Sequence, residues 1–261
     1  MTIDYSGFKR EEYLKFIKED IFKVGRVQSF NLLFDLIENL KDYPSIALLE
    51  RSYIYNGYSI FSPLFSKTVE VIDYRPETAN ERSGFQKSWV DDYCRYMVRS
   101  ESSVVIESDE PKFEGQIIES DLLLVPNVLH HCSDFEKTLT EIIQYSNAIN
   151  KIAVFDSYIR EEHQAPDDYA RQTRWSLKRM MQSMGFSETQ YQEAGNVFDA
   201  IRYMIFQADK LLSSEPELGD VKKSLYQLDD MLVDHCKNEE YRSLRRPHAS
   251  LSTGYWAIYE R

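Results

Sequence analysis

Residues 45–74, SIALLERSYIYNGYSIFSPLFSKTVEVIDY, read as strand, turn, short helix and strand. The opening run SIALLE (45–50) is short and apolar, and RSYIYNGY (51–58) breaks it at a turn that holds Gly57. Ile60, Phe61, Leu64 and Phe65 then recur at helical spacing, and TVEVIDY (68–74) is β-branched with an acid, Asp73, near its end. In an open α/β sheet, ligands lie beyond the carboxyl ends of the strands, so the turn after Glu50 and the side chain of Asp73 would face one crevice. An acid in that place accepts both hydroxyls of a ribose. An adenosine-containing cofactor is therefore expected.

Upstream, residues 8–40 carry two apolar stripes at helical spacing, Tyr13, Leu14, Ile17, Ile21 and Phe22 and then Phe30, Leu33, Phe34, Ile37 and Leu40. Gly25 is expected to separate two helices, and Pro44 to stop the second before the first strand. These helices would pad the sheet or lean over the crevice as a lid.

Downstream, SSVVIE (102–107) is the third strand candidate, with Asp109 just past its carboxyl end. DLLLV (121–125) is an almost continuous apolar run, as a strand buried on both faces of a parallel sheet requires. It leads through Pro126 and Asn127 to His130 and His131, after which Ser133 or Asp134 caps a helix with the stripe Phe135, Leu139, Ile142 and Ile143. KIAVFD (151–156) is the next strand, and its apolar run too ends on an acid.

The polar segment 158–172 is too hydrophilic for core, and the helix carrying Leu177, Met180 and Met181 is stopped by Gly185. Residues 186–194 alternate as a strand. A helical stretch divided by Pro216 and Gly219 then leads to YWAIY (255–259), a short aromatic and β-branched strand. The whole predicts a three-layer Rossmann-like α/β domain, with a mostly parallel sheet and a late antiparallel strand, over residues 45–195 and 254–261. Residues 1–44 form an N-terminal helical extension and residues 196–253 a helical insertion before the last strand.

With 261 residues, 43% of them hydrophobic, the chain can bury a full core. A net charge of -12 argues against non-specific attraction to nucleic acid. Cys94, Cys132 and Cys236 are odd in number and far apart, which suggests neither a disulfide framework nor a zinc knuckle. No stretch approaches about 18 consecutive apolar residues, so no membrane span is expected, and the N-terminus lacks the apolar core of a signal peptide. A reducing cytoplasm is the expected location.

The order of these features resembles the class I S-adenosylmethionine-dependent methyltransferases, from about residue 45 to 195 and again from 254. Four pieces carry it: LLE closing the first strand, VEVIDY with its acid, SDLLLVPNVLHHCSDFEKTLTEI as a strand with its following helix, and GF after a long helix with YWAIY at the end. The resemblance implies S-adenosylmethionine as cofactor. Glu50 would then lie under its methionine amino group, Asp73 on its ribose hydroxyls, Asp109 near the adenine amine and Asn127 beside it. The turn after the first strand departs from the family's glycine-rich form: only Gly57 remains, Tyr53 and its aromatic neighbours would build a different wall, and Arg51 would meet the methionine carboxylate.

If the acceptor is a hydroxyl on a small molecule or a carbohydrate, a base must take its proton, and His130 or His131 stands where that base could stand. Two adjacent residues on an extended segment point to opposite sides, so one of them at most would face the crevice. Asp156 and Tyr158 are the candidates for acceptor binding. The 196–253 insertion would cap the acceptor site or form a homodimer face. Two other readings stay open: a methyltransferase-like scaffold that has lost its cofactor and works by binding a partner, and a nicotinamide dehydrogenase, which needs the glycine fingerprint more strictly.

Overall fold

The computed structural model describes residues 2–3, 7–17, 24–41, 43–50, 61, 64, 66–73, 96, 106–107, 119–144, 146, 148–160, 162, 168–212, 215–237 and 251–261. In chain order the elements are β1 (Thr2–Ile3), α1 (Arg10–Phe16), α2 (Val24–Leu40), β2 (Tyr43–Glu50), β3 (Ser66–Asp73), β4 (Ile106–Glu107) and β5 (Leu122–Pro126). They continue with α3 (Phe135–Gln144), β6 (Lys151–Ser157), α4 (Arg174–Ser183), β7 (Ser187–Ala194), α5 (Val197–Leu212), α6 (Gly219–Lys237) and β8 (Gly254–Glu260).

The main sheet runs β3, β2, β5, β6, β8, β7. β3, β2, β5 and β6 pair in parallel, while β8 is antiparallel to both β6 and β7. One late strand is therefore reversed within an otherwise parallel sheet, as the sequence predicts. Side-chain alternation sorts the core into two faces. Ile46, Leu48, Leu122, Leu124, Phe155, Trp256 and Ile258 point to one, where Phe30, Leu33, Leu36 and Leu40 of α2 cover them. Ala47, Leu49, Leu123, Val125, Val154, Tyr255 and Tyr259 point to the other, under Leu139 of α3 and Leu177 and Met181 of α4. The N-terminal helices thus pad the sheet. Tyr13 of α1 sets its ring edge-on to Phe30 at 5.4 Å, Phe61 at 5.2 Å and Tyr96 at 5.1 Å.

Local chemistry fixes the helix ends. Asp134 accepts from Lys137 N at 3.0 Å ahead of α3, and Thr173 accepts from Ser176 N ahead of α4. At the end of α4, Gly185 has φ +85, Phe186 N donates to Met181 O and Gly185 N to Gln182 O, a paired closure that a left-handed residue makes possible. Ahead of α5, Asn196 Oδ1 accepts from Phe198 N and Asp199 N, and Asp199 Oδ2 returns the favour to Asn196 N at 2.9 Å. α5 and α6 then pack together through Arg202 and Asp229, bonded at 2.7 and 3.0 Å.

Two expectations are corrected. The described part of the third strand candidate, Ile106–Glu107, pairs antiparallel with Thr2–Ile3 in a separate two-stranded sheet. Gly25 lies inside the first turn of α2 and not between helices; the first turn's amides have no intrahelical partner, so a glycine costs little there. Among the described residues no helix is long and apolar enough to cross a membrane.

Candidate functional site at the carboxyl rim

Four parallel strands end side by side on one rim. β2 and β3 finish together, with Glu50 and Asp73 as their last registered pair. The β2–β5 register, whose last pair is Leu48 with Leu124, brings Pro126 level with Glu50, and β6, where Phe155 pairs with Pro126, runs two residues further, to Ser157. Three inter-strand steps of about 4.8 Å give a rim about 14 Å wide from β3 to β6. The backbone positions of Glu50 and Asp73 are therefore neighbours on one edge, as the sequence predicts. Arg51, Tyr53, Gly57 and Asp109 lie outside the described residues.

Asn127 follows β5 with φ 53, a left-handed conformation that no other non-glycine residue adopts among those described. Its N–H donates to Phe155 O at 2.7 Å, and its Oδ1 accepts from Ser157 Oγ at 3.0 Å. The chain then makes a 3-10 turn over Leu129–His131, closed by His131 N on Val128 O and Cys132 N on Leu129 O. This corrects the extended segment expected for the two histidines. Successive residues of a 3-10 turn are about 120° apart, so the two side chains do not point to opposite sides, and their rings lie against each other. Their centroids are 4.1 Å apart at an interplanar angle of 47°.

Both histidines are buried, at 0% and 5% exposure. His130 Nδ1 lies 2.8 Å from Asp156 Oδ1. Asp156 Oδ1 also accepts from Ser157 N at 2.8 Å, while Oδ2 is buried with no hydrogen-bond partner among the described residues. A carboxylate only accepts, so the His130 Nδ1 in this pair carries a proton, and Nε2 is the ring nitrogen that Asp156 does not engage. Asp156 is thus bonded to an imidazole from β5's turn. Its 1% exposure places it behind the rim rather than on it.

Tyr158 is engaged elsewhere. Its hydroxyl meets that of Tyr191 at 2.9 Å and accepts from Arg174 N at 3.1 Å, and its ring lies 4.6 Å from that of Tyr255. Burial pushes the Tyr158 phenol above its ordinary range, and burial, with the Asp156 charge adding to it, holds Tyr255 well above. Residues 168–171, which hydrophilicity assigned to solvent, pack against the dyad. Tyr169 N donates to His130 O at 2.8 Å. Arg171 forms an ion pair with Asp168, whose hydrogen bond and charge keep the guanidinium firmly protonated, and it also feels the Asp156 carboxylate. Sequence reasoning missed Ser157 and Arg171, since a serine at a strand end and one arginine in a polar stretch carry no distinguishing pattern.

No protein-family model matches the sequence, and no curated protein matches it. Among solved structures, the chain is similar to a cyclopropane-fatty-acyl-phospholipid synthase-like protein from Lactobacillus casei, at 7% identity and TM-score 0.48 over 97% of this chain and 98% of that one. It is similar to a coclaurine N-methyltransferase bound to N-methylheliamine and SAH, at 12% identity and TM-score 0.46 over 96% and 78%. A third is the [4+2]-cyclase SpnF, at 16% identity and TM-score 0.43 over 89% and 80%. The strand order β3, β2, β5, β6, β8, β7, with β8 alone reversed, gives this chain the Rossmann-like α/β fold that its sequence resemblance implied.

Proposed function

We propose that the chain is an S-adenosylmethionine-dependent methyltransferase, acting by O-methylation on a small molecule or a carbohydrate hydroxyl. The observation that carries this reading is the terminal register pair Glu50 and Asp73, two acids side by side where parallel strands end. On that rim Asp73 would accept the ribose hydroxyls and Glu50 the methionine amino group. Asn127 would lie beside the cofactor, Asp109 near the adenine, and the turn with Arg51, Tyr53 and Gly57 would close over the methionine end. The cofactor supplies an electrophilic methyl group on a sulfonium. The chain's own task is to align the acceptor oxygen in line with it and to exclude water. His130, with its tautomer set by Asp156, is the group we assign to take the hydroxyl proton at Nε2; His131 flanks it. The reading carries with it a cytoplasmic location and a 196–253 insertion that caps the acceptor or forms a homodimer face.

A second reading, a scaffold that binds a partner and no cofactor, is favoured by the turn 51–57 with its single glycine. Calorimetric titration with S-adenosylmethionine separates the two. Binding heat and thermal stabilisation are expected; neither appearing at millimolar ligand would leave the scaffold. Asp73→Ala should raise the Kd at least about tenfold, since a charge-assisted hydrogen bond is worth about 1.5–3 kcal/mol, and should leave stability nearly unchanged. An unaltered Kd would move the ribose to another strand.

A further inference from the structure

Asn127 and Asp156 belong to different strand tips, yet one residue bonds to both. Ser157 donates its backbone N–H to Asp156 Oδ1 at 2.8 Å and its hydroxyl to Asn127 Oδ1 at 3.0 Å. The backbone arm would survive a substitution to alanine or threonine. The hydroxyl arm would not survive alanine, and it decides which way the Asn127 carboxamide faces. A carboxamide presents an acceptor on one side and two donors on the other. With Oδ1 turned to Ser157 and the backbone N–H committed to Phe155 O, the part of Asn127 left for a ligand is the Nδ2 amino group, for which no partner is found among the described residues. The backbone there is held at φ 53, in the left-handed region that most L side chains avoid and that asparagine tolerates better than they do.

We infer that Ser157 is a positioning residue: it locks the Asn127 carboxamide at the carboxyl rim with the Nδ2 donor facing the crevice, so the ligand group seated there bears a lone pair, an oxygen or a ring nitrogen. The inference rests on the proposed cofactor site and names how one of its walls is oriented. It also explains why two strand tips are tied by a hydroxyl, since an alanine at 157 would keep the Asp156 contact and lose only the orientation.

The test uses the full chain and S-adenosylhomocysteine as the probe, titrated by calorimetry. Ser157→Ala should weaken binding about three- to tenfold, the loss of one hydrogen bond, and Ser157→Thr, which restores a hydroxyl on the same carbon, should return affinity to within about twofold of the parent. Asn127→Ala should weaken binding by at least as much as Ser157→Ala. The double variant should then be no weaker than Asn127→Ala alone, because the hydroxyl acts only through the carboxamide. Additive losses, or a Ser157→Ala protein that loses thermal stability at unchanged affinity, would overturn the assignment. Should the parent protein bind neither S-adenosylmethionine nor S-adenosylhomocysteine, the cofactor reading fails by itself. The Asn127 side-chain amide resonance, identified by its disappearance in Asn127→Ala, then decides the positioning claim. A resonance displaced by Ser157→Ala and restored by Ser157→Thr upholds it, and one that stays in place refutes it.

Discussion

Gly254→Ala offers the sharpest test of how the rim is built. A Cβ at 254 would stand 2.7 Å from Asp156 O, 3.1 Å from Leu32 Cδ1 and 3.4 Å from Ser157 Cα. The leucine methyl can swing aside. The carbonyl cannot, because it belongs to β6 and lies at the point where Gly254 registers with Ser157. A carbon–oxygen approach needs about 3.3 Å, so the two strands would have to separate by roughly 0.6 Å at the end that carries Asp156. Overpacking against immovable atoms costs about 1–3 kcal/mol, and the rigid partner puts this substitution near the top, at about 2–3 kcal/mol. For a chain of this size that lowers Tm by roughly 4–12 °C, readable by circular dichroism and by urea unfolding. Gly185→Ala is the matched control. It meets nothing within 4 Å but sits at φ +85, so it should cost about 1–2 kcal/mol from backbone strain alone and leave ligand binding untouched. A Gly254→Ala protein within about 0.5 kcal/mol of the parent would mean that β6 and β8 are not held as closely as described.

Glu188 gives a pH dependence. Burial pushes its carboxyl up, but hydrogen bonds from Arg174 and Lys178 outweigh burial and hold it below the ordinary carboxylate range. Its contribution to stability is therefore full above about pH 4.5 and is lost as pH falls through the depressed value. Glu188→Gln should flatten that acid limb of the stability curve, and an unchanged limb would refute it. Asp156→Ala strips His130 Nδ1 and Ser157 N of their shared acceptor and should cost about 2–4 kcal/mol in urea unfolding. Asp156→Asn keeps an oxygen there and should cost clearly less, so equal losses would count against the described bonding. Asn196→Ala removes the cap of α5 and should cost about 1 kcal/mol, measurable in the same assay.

The strands that could be read from the chain are those whose burial is two-sided or whose ends are marked. LLLVP of β5 is apolar without interruption because both faces are covered, and YWAIY of β8 alternates large side chains between the two core faces. The acids closing β2 and β3 were legible as the residues at which strand-like runs end, Glu50 after SIALL and Asp73 after TVEVI. SSVVIE (102–107) ends on an acid in the same way, yet its described part, Ile106–Glu107, lies outside the main sheet. Its β-branched sequence favours a strand but does not choose among partners, and it pairs with Thr2–Ile3 more than a hundred residues away in the chain. The histidine turn escaped because Asn-Val-Leu-His-His has no residue that separates 3-10 from extended backbone, and only the fold brings Asp156 across to His130. Asp168 and Arg171 misled in the opposite sense. Their charges read as solvated, yet they neutralise each other against the loop, leaving the Asp168 side chain 3% exposed.

The reversed strand has a consequence for biogenesis. β8 is threaded between β6 and β7, and among the described residues β7 bonds to no other strand. Residues 187–194 leave the ribosome some sixty residues before 254–260, so in the meantime β6 has a bare flank and β7 no ladder to join. The polar Ser, Glu, Thr and Gln of β7 guard it against pairing with a neighbour until residues 254–260 join it to β6.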